Sequence, residues 1–185
     1  MTQGAGLSVD LNADMGEGFG RYAVDDDGLL GAVTSASIAC GFHAGDPVVM
    51  RATVMQAAAR GVVVGAHPGY PDLVGFGRRD MATTPAEIEA MVVYQIGALQ
   101  AVCRAAGTEL RYVKAHGALY NRAARDRAAA DAIASAIRSV DPSLALLGLA
   151  GSEMMAAAER ARIRGVGEGF VDRAYNNDGT LVPRT

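Results

Sequence analysis

The chain has no apolar run near the roughly 20 residues that a membrane-spanning helix requires, although half of its 185 residues are hydrophobic. A helical membrane protein is therefore not expected. There is no basic run and the net charge is −3, so nothing favours a nucleic-acid partner. Only two cysteines occur, Cys40 and Cys103, and they fit no metal or disulfide spacing. That scarcity points to a reducing cytoplasm, as does an amino terminus without the basic and apolar regions of a secretory signal. There is no Gly-x4-Gly-Lys-Ser/Thr loop and no Gly-x-Ser-x-Gly elbow, which removes the standard P-loop and the serine-hydrolase turn. The glycine-rich stretches GEGFG and GVGEG match no nucleotide fingerprint. Lysine is nearly missing: of 17 basic residues all are arginine except Lys114. A high-GC genome accounts for arginine in general, but not for one lysine surviving two residues before a histidine. That position calls for a compact, perturbable ammonium that arginine cannot imitate.

What is present is an alternation of strand-like and helix-like segments. Strands are expected at 8–12, 35–40, 62–67, 111–116, 144–149 and 169–172. Helices are expected at 26–34, 47–60, 85–106, 125–140 and 152–162. Asp46-Pro47 and Thr84-Pro85 with Glu87 read as N-caps followed by first-turn prolines. Gly61 and Gly107 sit just past helix ends, and Asp141-Pro142 stops the fourth helix. The third helix is amphipathic, with Ile88, Met91, Val92, Gln95, Leu99 and Val102 recurring at three and four. Strands separated by helices imply βαβ units and a parallel sheet. Polar groups at five strand ends would converge in a ring, so the expected fold is α/β, a TIM-like (β/α) barrel, rather than an open sheet. No repeat or linker suggests a second domain, and residues 1–185 are read as one.

The chemistry-bearing residues gather at those ends. All three histidines follow apolar runs: GFHAGDP at His43, GAHPGYPD at His67 and KAHGALYN at His116. Alternation puts Asp10, Asn12 and Asp14 on one side of the first strand, and Lys114 and His116 on one side of another. Polar side chains grouped on a buried strand are costly unless paired or bound to something. Asp14 reads equally as a turn residue, and Asp46 as a helix cap. The loop after His67 is dense in Gly, Pro and Tyr, carries Asp72, and ends in Gly-Phe-Gly-Arg78-Arg79, a candidate anion clamp. Asp172-Arg173 reads either as a surface ion pair or as a guanidinium offered to an anion. His, Asp and Asn together suit a hard or borderline divalent metal, with Asp10, His43 and His67 as its candidate ligands.

At these residues the chain resembles the LamB/YcsF family. The segments are VDLNADMGEGFG, SIACGFHAGDP, VGAHPGYPDLVGFGRR, VKAHGALYN and VDRAYNNDGTLVPR, in family order from near residue 8 to the last residue. Ser37, Ala115 and Gly169 depart from the family's usual asparagine, proline and larger apolar residue. The resemblance implies a distorted TIM-like barrel, akin to polysaccharide-deacetylase-like barrels. It also implies a 5-oxoprolinase activity, the ATP-coupled opening of 5-oxo-L-proline to L-glutamate together with B and C subunits. Family members continue several dozen residues beyond the LVPR segment, so the chain is expected to be short of the last βα units and to self-associate or meet a partner there. On that reading Lys114 meets the phosphate or oxyanion, and Asp10, Asn12 and Glu17 hold a metal or the attacking water. His43, His67 and His116 move protons or ligate metal. Asp72, Arg78, Arg79, Asp172 and Arg173 contact substrate. The alternatives are a metal-dependent carbohydrate deacetylase and a catalytically incomplete scaffold subunit.

Overall fold

The structure is a computed structural model that describes residues 8–182. Six strands alternate with helices: β1 Asn12–Met15, α1 Asp27–Leu30, β2 Ser35–Ala39, α2 Pro47–Ala59, β3 Val63–His67, α3 Pro85–Ala105, β4 Leu110–Val113, α4 Gly117–Ala123, α5 Arg127–Val140, β5 Ala145–Leu149, α6 Glu153–Ala161 and β6 Gly165–Glu168. All strand pairs are parallel, and the sheet order is the chain order from β1 to β6.

Several boundaries follow the chemistry expected of them. Asp46 accepts from the Val48 and Val49 amides and opens α2 ahead of Pro47. Thr84 and Glu87 form a reciprocal capping box at the start of α3, satisfying amides that a helix start leaves free. Gly61 and Gly107 take φ of +69° and +73°, as the residue past a helix end does. Two strands are displaced from expectation. β1 begins at Asn12 rather than residue 8, and Val9 and Leu11 are 77% and 53% exposed. β6 is the glycine-rich Gly165–Glu168 rather than 169–172, made a strand by its pairing with β5 rather than by propensity. The short α4, directly after His116, has no counterpart in the sequence pattern.

One face of the sheet carries Ala36, Ile38, Val64, Ala66, Val113 and Leu146, all essentially buried beneath the helices. The alternate positions, among them Asn12, Asp14, Ser37, Tyr112 and Lys114, face the other way. Laid flat, β1 and β6 would stand about 24 Å apart, five strand spacings. Yet Lys114, just after β4, reaches Asp14 of β1 and Glu168 of β6, each at 3.2 Å. The sheet is therefore curled into a half-barrel with the polar face inward, the TIM-like arrangement that converging strand ends require.

Candidate functional site

Five carboxyl-terminal strand ends build the site. β1 delivers Asp14 and, through a turn at Gly16 (φ +68°), Glu17. His43 follows β2, His67 ends β3, Lys114 and His116 follow β4, and Glu168 ends β6.

Lys114 is 4% exposed. Its Nζ lies 3.2 Å from Asp14 Oδ1, 3.2 Å from Glu168 Oε2 and 3.1 Å from Asn12 Oδ1. Burial opposes its charge, but Asp14 and Glu168 outweigh burial and hold its pKa above the ordinary lysine value. The perturbable amine expected from sequence is thus corrected: Lys114 is a fixed cation, because two carboxylates face it. Three oxygens converging on one point suit an ammonium better than a flat guanidinium fork. Asp14 is lowered on balance: burial raises its pKa, but His67 and Lys114 prevail. Its side chain remains 37% exposed. Beneath lies a polar floor, in which Asn12 Nδ2 donates to Ser35 Oγ and to Tyr112 Oη at 2.8 and 2.7 Å. Tyr112 can lie there because residue 65 is glycine; a Cβ at Gly65 would come within 2.1 Å of the ring.

The three histidines form one buried group. His43 stacks flat on His116 at 3.7 Å between centroids, and His67 stands edge-on to both. The loop after His67 packs its backbone on these rings: a Cβ at Gly69 would lie 2.8 Å from His43 Nδ1, and one at Gly77 2.7 Å from His43 Cβ. Gln95 of α3 grips that loop, accepting from the Gly69 amide at 2.9 Å and donating to the Gly69 carbonyl at 3.0 Å. Phe76 is held at φ +54°, an uncommon conformation for a bulky residue. Its carbonyl accepts from His116 Nε2 at 2.8 Å. Burial, with His67 next in weight, pushes His43 down to about 2. Burial together with His67 and His43 pushes His116 down to about 3. Both rings are therefore neutral near pH 7. Burial lifts the Glu17 carboxyl above its usual range despite His67 and His116. Donor atoms of Glu17, His43, His67 and His116 all lie within 4.8 Å of one another. Imidazole nitrogens with a carboxylate are a donor set that can hold a borderline metal ion.

Of the residues expected at the site, the fold brings together Asn12, Glu17, His43, His67, Lys114 and His116. It does not bring Asp10, which precedes β1 at the opposite strand end and accepts from Thr34 and Ser35 hydroxyls. The histidine group leaves Asp10 out and takes in Glu17 and His116 instead. Asp72 is a loop brace: Arg79 and the Gly75 amide bind it, and chiefly Arg79 holds its pKa at about 2. Arg79 is accordingly turned to Asp72. Arg78 and Arg173 do line the cavity above the site, and Asp172 is exposed outside its lining. That cavity, about 330 Å³, is bordered by Asp14, His67, Arg78, Lys114, Arg125 and Arg173. Glu168, Tyr112 and Arg125 were not among the expected site residues, and Asp14 stood evenly between the site and a turn. Asp14 had a signal, its two-residue spacing from Asn12; Glu168 had none, because its strand is glycine-rich. Cys40 is buried, its thiol pushed up to about 12 by burial, which removes it as a nucleophile. Among the described residues no helix is long and apolar enough to cross a membrane.

Comparison with known proteins agrees with this architecture. Residues 9–185 match the family model described as LamB/YcsF family. A relative from Bacillus licheniformis, named as the A subunit of 5-oxoprolinase, is 58% identical over 177 residues, covering 95% of this chain and 70% of its own length. Its counterpart of the same name in Bacillus subtilis is 57% identical over 180 residues, covering 97% of this chain and 70% of its own. The crystal structure of a lactam utilization protein from Thermus thermophilus superposes with a TM-score of 0.92 at 51% identity, over 96% of this chain and 72% of that one. With a family match over nearly the whole sequence and relatives above half identical, the chain belongs to the LamB/YcsF family.

Proposed function

We propose that this chain is the A subunit of a 5-oxoprolinase, a lactam hydrolase that opens 5-oxo-L-proline to L-glutamate with ATP, acting with B and C subunits in the cytoplasm. The reading takes residues 1–185 as one barrel domain. The observation that carries it is Lys114, a charged ammonium fixed between Asp14 and Glu168 beside the histidine group at the base of an arginine-rimmed cavity.

A lactam is a weak electrophile. Opening it adds the elements of water across the ring C–N bond: hydroxide goes to carbon and a proton to nitrogen. Negative charge grows on the lactam carbonyl oxygen as water adds, and a preorganised cation there is worth most in a site with little water. Lys114 supplies it without losing its proton. Asp14, which borders the cavity beside Lys114, is the group placed to take the proton from water and return it to the leaving nitrogen. Arg78, Arg125 and Arg173 at the rim suit the substrate carboxylate and the phosphates of ATP, the co-substrate. Transfer of the γ-phosphoryl of ATP to the amide oxygen, with release of ADP, makes the carbonyl carbon a better electrophile, and inorganic phosphate departs as water adds and the carboxylate of glutamate forms.

Glutamate release from 5-oxo-L-proline by the chain reconstituted with B and C subunits, with and without ATP, tests the reading. Lys114→Arg should abolish release while circular dichroism stays unchanged. Near-normal release by that variant would sink the role given to Lys114, and no release by the wild-type complex would sink the reading itself.

A further inference from the structure

Two backbone carbonyls decide which nitrogens of the histidine pair carry hydrogen. His67 Nδ1 is 2.8 Å from the Lys114 carbonyl oxygen, and His116 Nε2 is 2.8 Å from that of Phe76. A carbonyl only accepts, so both of these nitrogens donate. With one N–H on each ring, His67 Nε2 and His116 Nδ1 carry no hydrogen and turn their lone pairs to one place, where Asp14 Oδ2 also stands 3.4 Å from His67 Nε2. Those two atoms face each other at 3.0 Å. Lone pairs at that separation repel unless a cation lies against both. Glu17 Oε1 points at the same place, 3.6 Å from His116 Nδ1, buried and without a hydrogen-bond partner.

We propose that His67 Nε2, His116 Nδ1 and Glu17 Oε1 are the ligands of a divalent cation of the zinc class. Ligands about 2.0–2.2 Å from a tetrahedral zinc stand roughly 3.3–3.6 Å from one another. The 3.0 and 3.6 Å separations lie near that, and the donor atoms of the group all lie within 4.8 Å of one another, so a turn of the Glu17 carboxylate toward His67 completes the set. The two carbonyls supply the outer hydrogen bonds that orient metal-bound imidazoles. His43 is a neighbour of the site and not a ligand. Its ring lies parallel to His116 within 2° at 3.7 Å, so the two cannot aim in-plane lone pairs at one point. Its Nε2 stands 3.4 Å from Glu17 Oε1, beside the ligand set, with no hydrogen bond between the two atoms. Three protein ligands leave a fourth position, as in catalytic zinc sites, on the side where His67 and His116 border the cavity. The competing occupant of the gap is a proton shared between the rings. The proposal does not depend on the lactam reading, because binding is measured without substrate.

The experiment titrates the chelator-stripped chain with zinc by calorimetry and with cobalt by visible absorption. About one equivalent should bind, with a cobalt spectrum of a low-symmetry nitrogen–oxygen site, and zinc should raise the unfolding temperature. Glu17→Gln and His67→Gln should each weaken binding about a thousandfold and cancel the thermal shift, whereas His43→Phe should weaken it about tenfold, as outer-sphere changes do. Circular dichroism before metal addition shows whether each variant is folded, and the isosteric Glu17→Gln keeps the test alive if His67→Gln is not. Failure of the wild type to take up either metal, with imidazolium signals in its nitrogen NMR spectrum, would overturn the proposal in favour of the proton. Unchanged binding by Glu17→Gln, or loss in His43→Phe as deep as in His67→Gln, would overturn the ligand assignment.

Discussion

Replacing Lys114 by methionine removes an ammonium and keeps the length of the side chain. The Asp14 and Glu168 carboxylates, each 3.2 Å from Nζ, then face one another without a counter-charge. Breaking a buried ion pair on one side costs about 3–5 kcal/mol. The lower end applies here, because Asp14 is 37% exposed and regains water, whereas Glu168 is 12% exposed and does not. We expect a loss of about 3 kcal/mol, which for a chain of this size lowers Tm by roughly 6–12 °C. Glu168→Gln alone should cost about 1 kcal/mol, since Asp14 and Asn12 still hold the ammonium. The double variant should lose less than the sum, by about 1–3 kcal/mol, because removing the second charge relieves what the first substitution exposed. Urea unfolding followed by fluorescence and circular dichroism, with coincident transitions, gives the four free energies of the cycle. A Lys114→Met loss under about 1 kcal/mol, or additivity within about 0.5 kcal/mol, would refute the reasoning that Asp14 and Glu168 share Lys114 as a buried counter-charge.

Acid sensitivity follows from the buried neutral histidines. His43 and His116 sit at about 2 and 3 in the folded chain and return to about 6.5 on unfolding. Their contribution is complete above about pH 6.5 and is lost as pH falls toward 3, by up to about 1.4 kcal/mol per pH unit for each histidine. Urea midpoints taken downward from neutral pH should show this fall, and His43→Phe should flatten it; an unchanged slope would contradict the buried neutral state. Gly65→Ala places a Cβ 2.1 Å from the Tyr112 ring and should cost about 1–3 kcal/mol by overpacking, a result that a thermal melt within a degree of wild type would rule out. Thr84→Ala removes the α3 capping box and should cost about 1 kcal/mol while leaving zinc affinity unchanged.

The sequence was most legible where local chemistry decides structure. The caps at Asp46 and Thr84, the glycines at 61 and 107, and the parallel alternation of strands and helices need no knowledge of distant neighbours. The histidines, too, were readable as strand-end residues. Legibility failed where a partner far away in the chain decides. Val9 and Leu11 look like a buried alternation, but β1 pairs on one side only among the described residues and starts after them. The stretch Gly165–Glu168 has almost no strand propensity of its own, and its pairing with β5 gives Lys114 its second carboxylate. Asp10 and Asp72 show the complementary failure: residue type and spacing suited a site, but nearer hydroxyls and Arg79 hold them elsewhere. The correction for Lys114 has the same origin, since a lysine's charge state depends on which carboxylates the fold sets beside it.

The reach of Lys114 across the half-barrel bears on how the chain folds. Its contact with Asn12 spans 102 residues of sequence, and its contact with Glu168 requires β5 and β6 to be in place. Contacts that distant are made late, after the local helices and neighbouring strand pairs. A chain with β1 to β4 formed would have its histidines near one another and Asp14 within reach of the lysine, but would lack the second carboxylate, Glu168. The polar centre therefore reports completion: under mild urea, protection of the Lys114 amide from hydrogen exchange should vanish together with that of Leu146 on β5, whose amide donates to the Arg164 carbonyl, as one cooperative unit. Sub-global opening would then switch the site off entirely rather than weaken it by degrees.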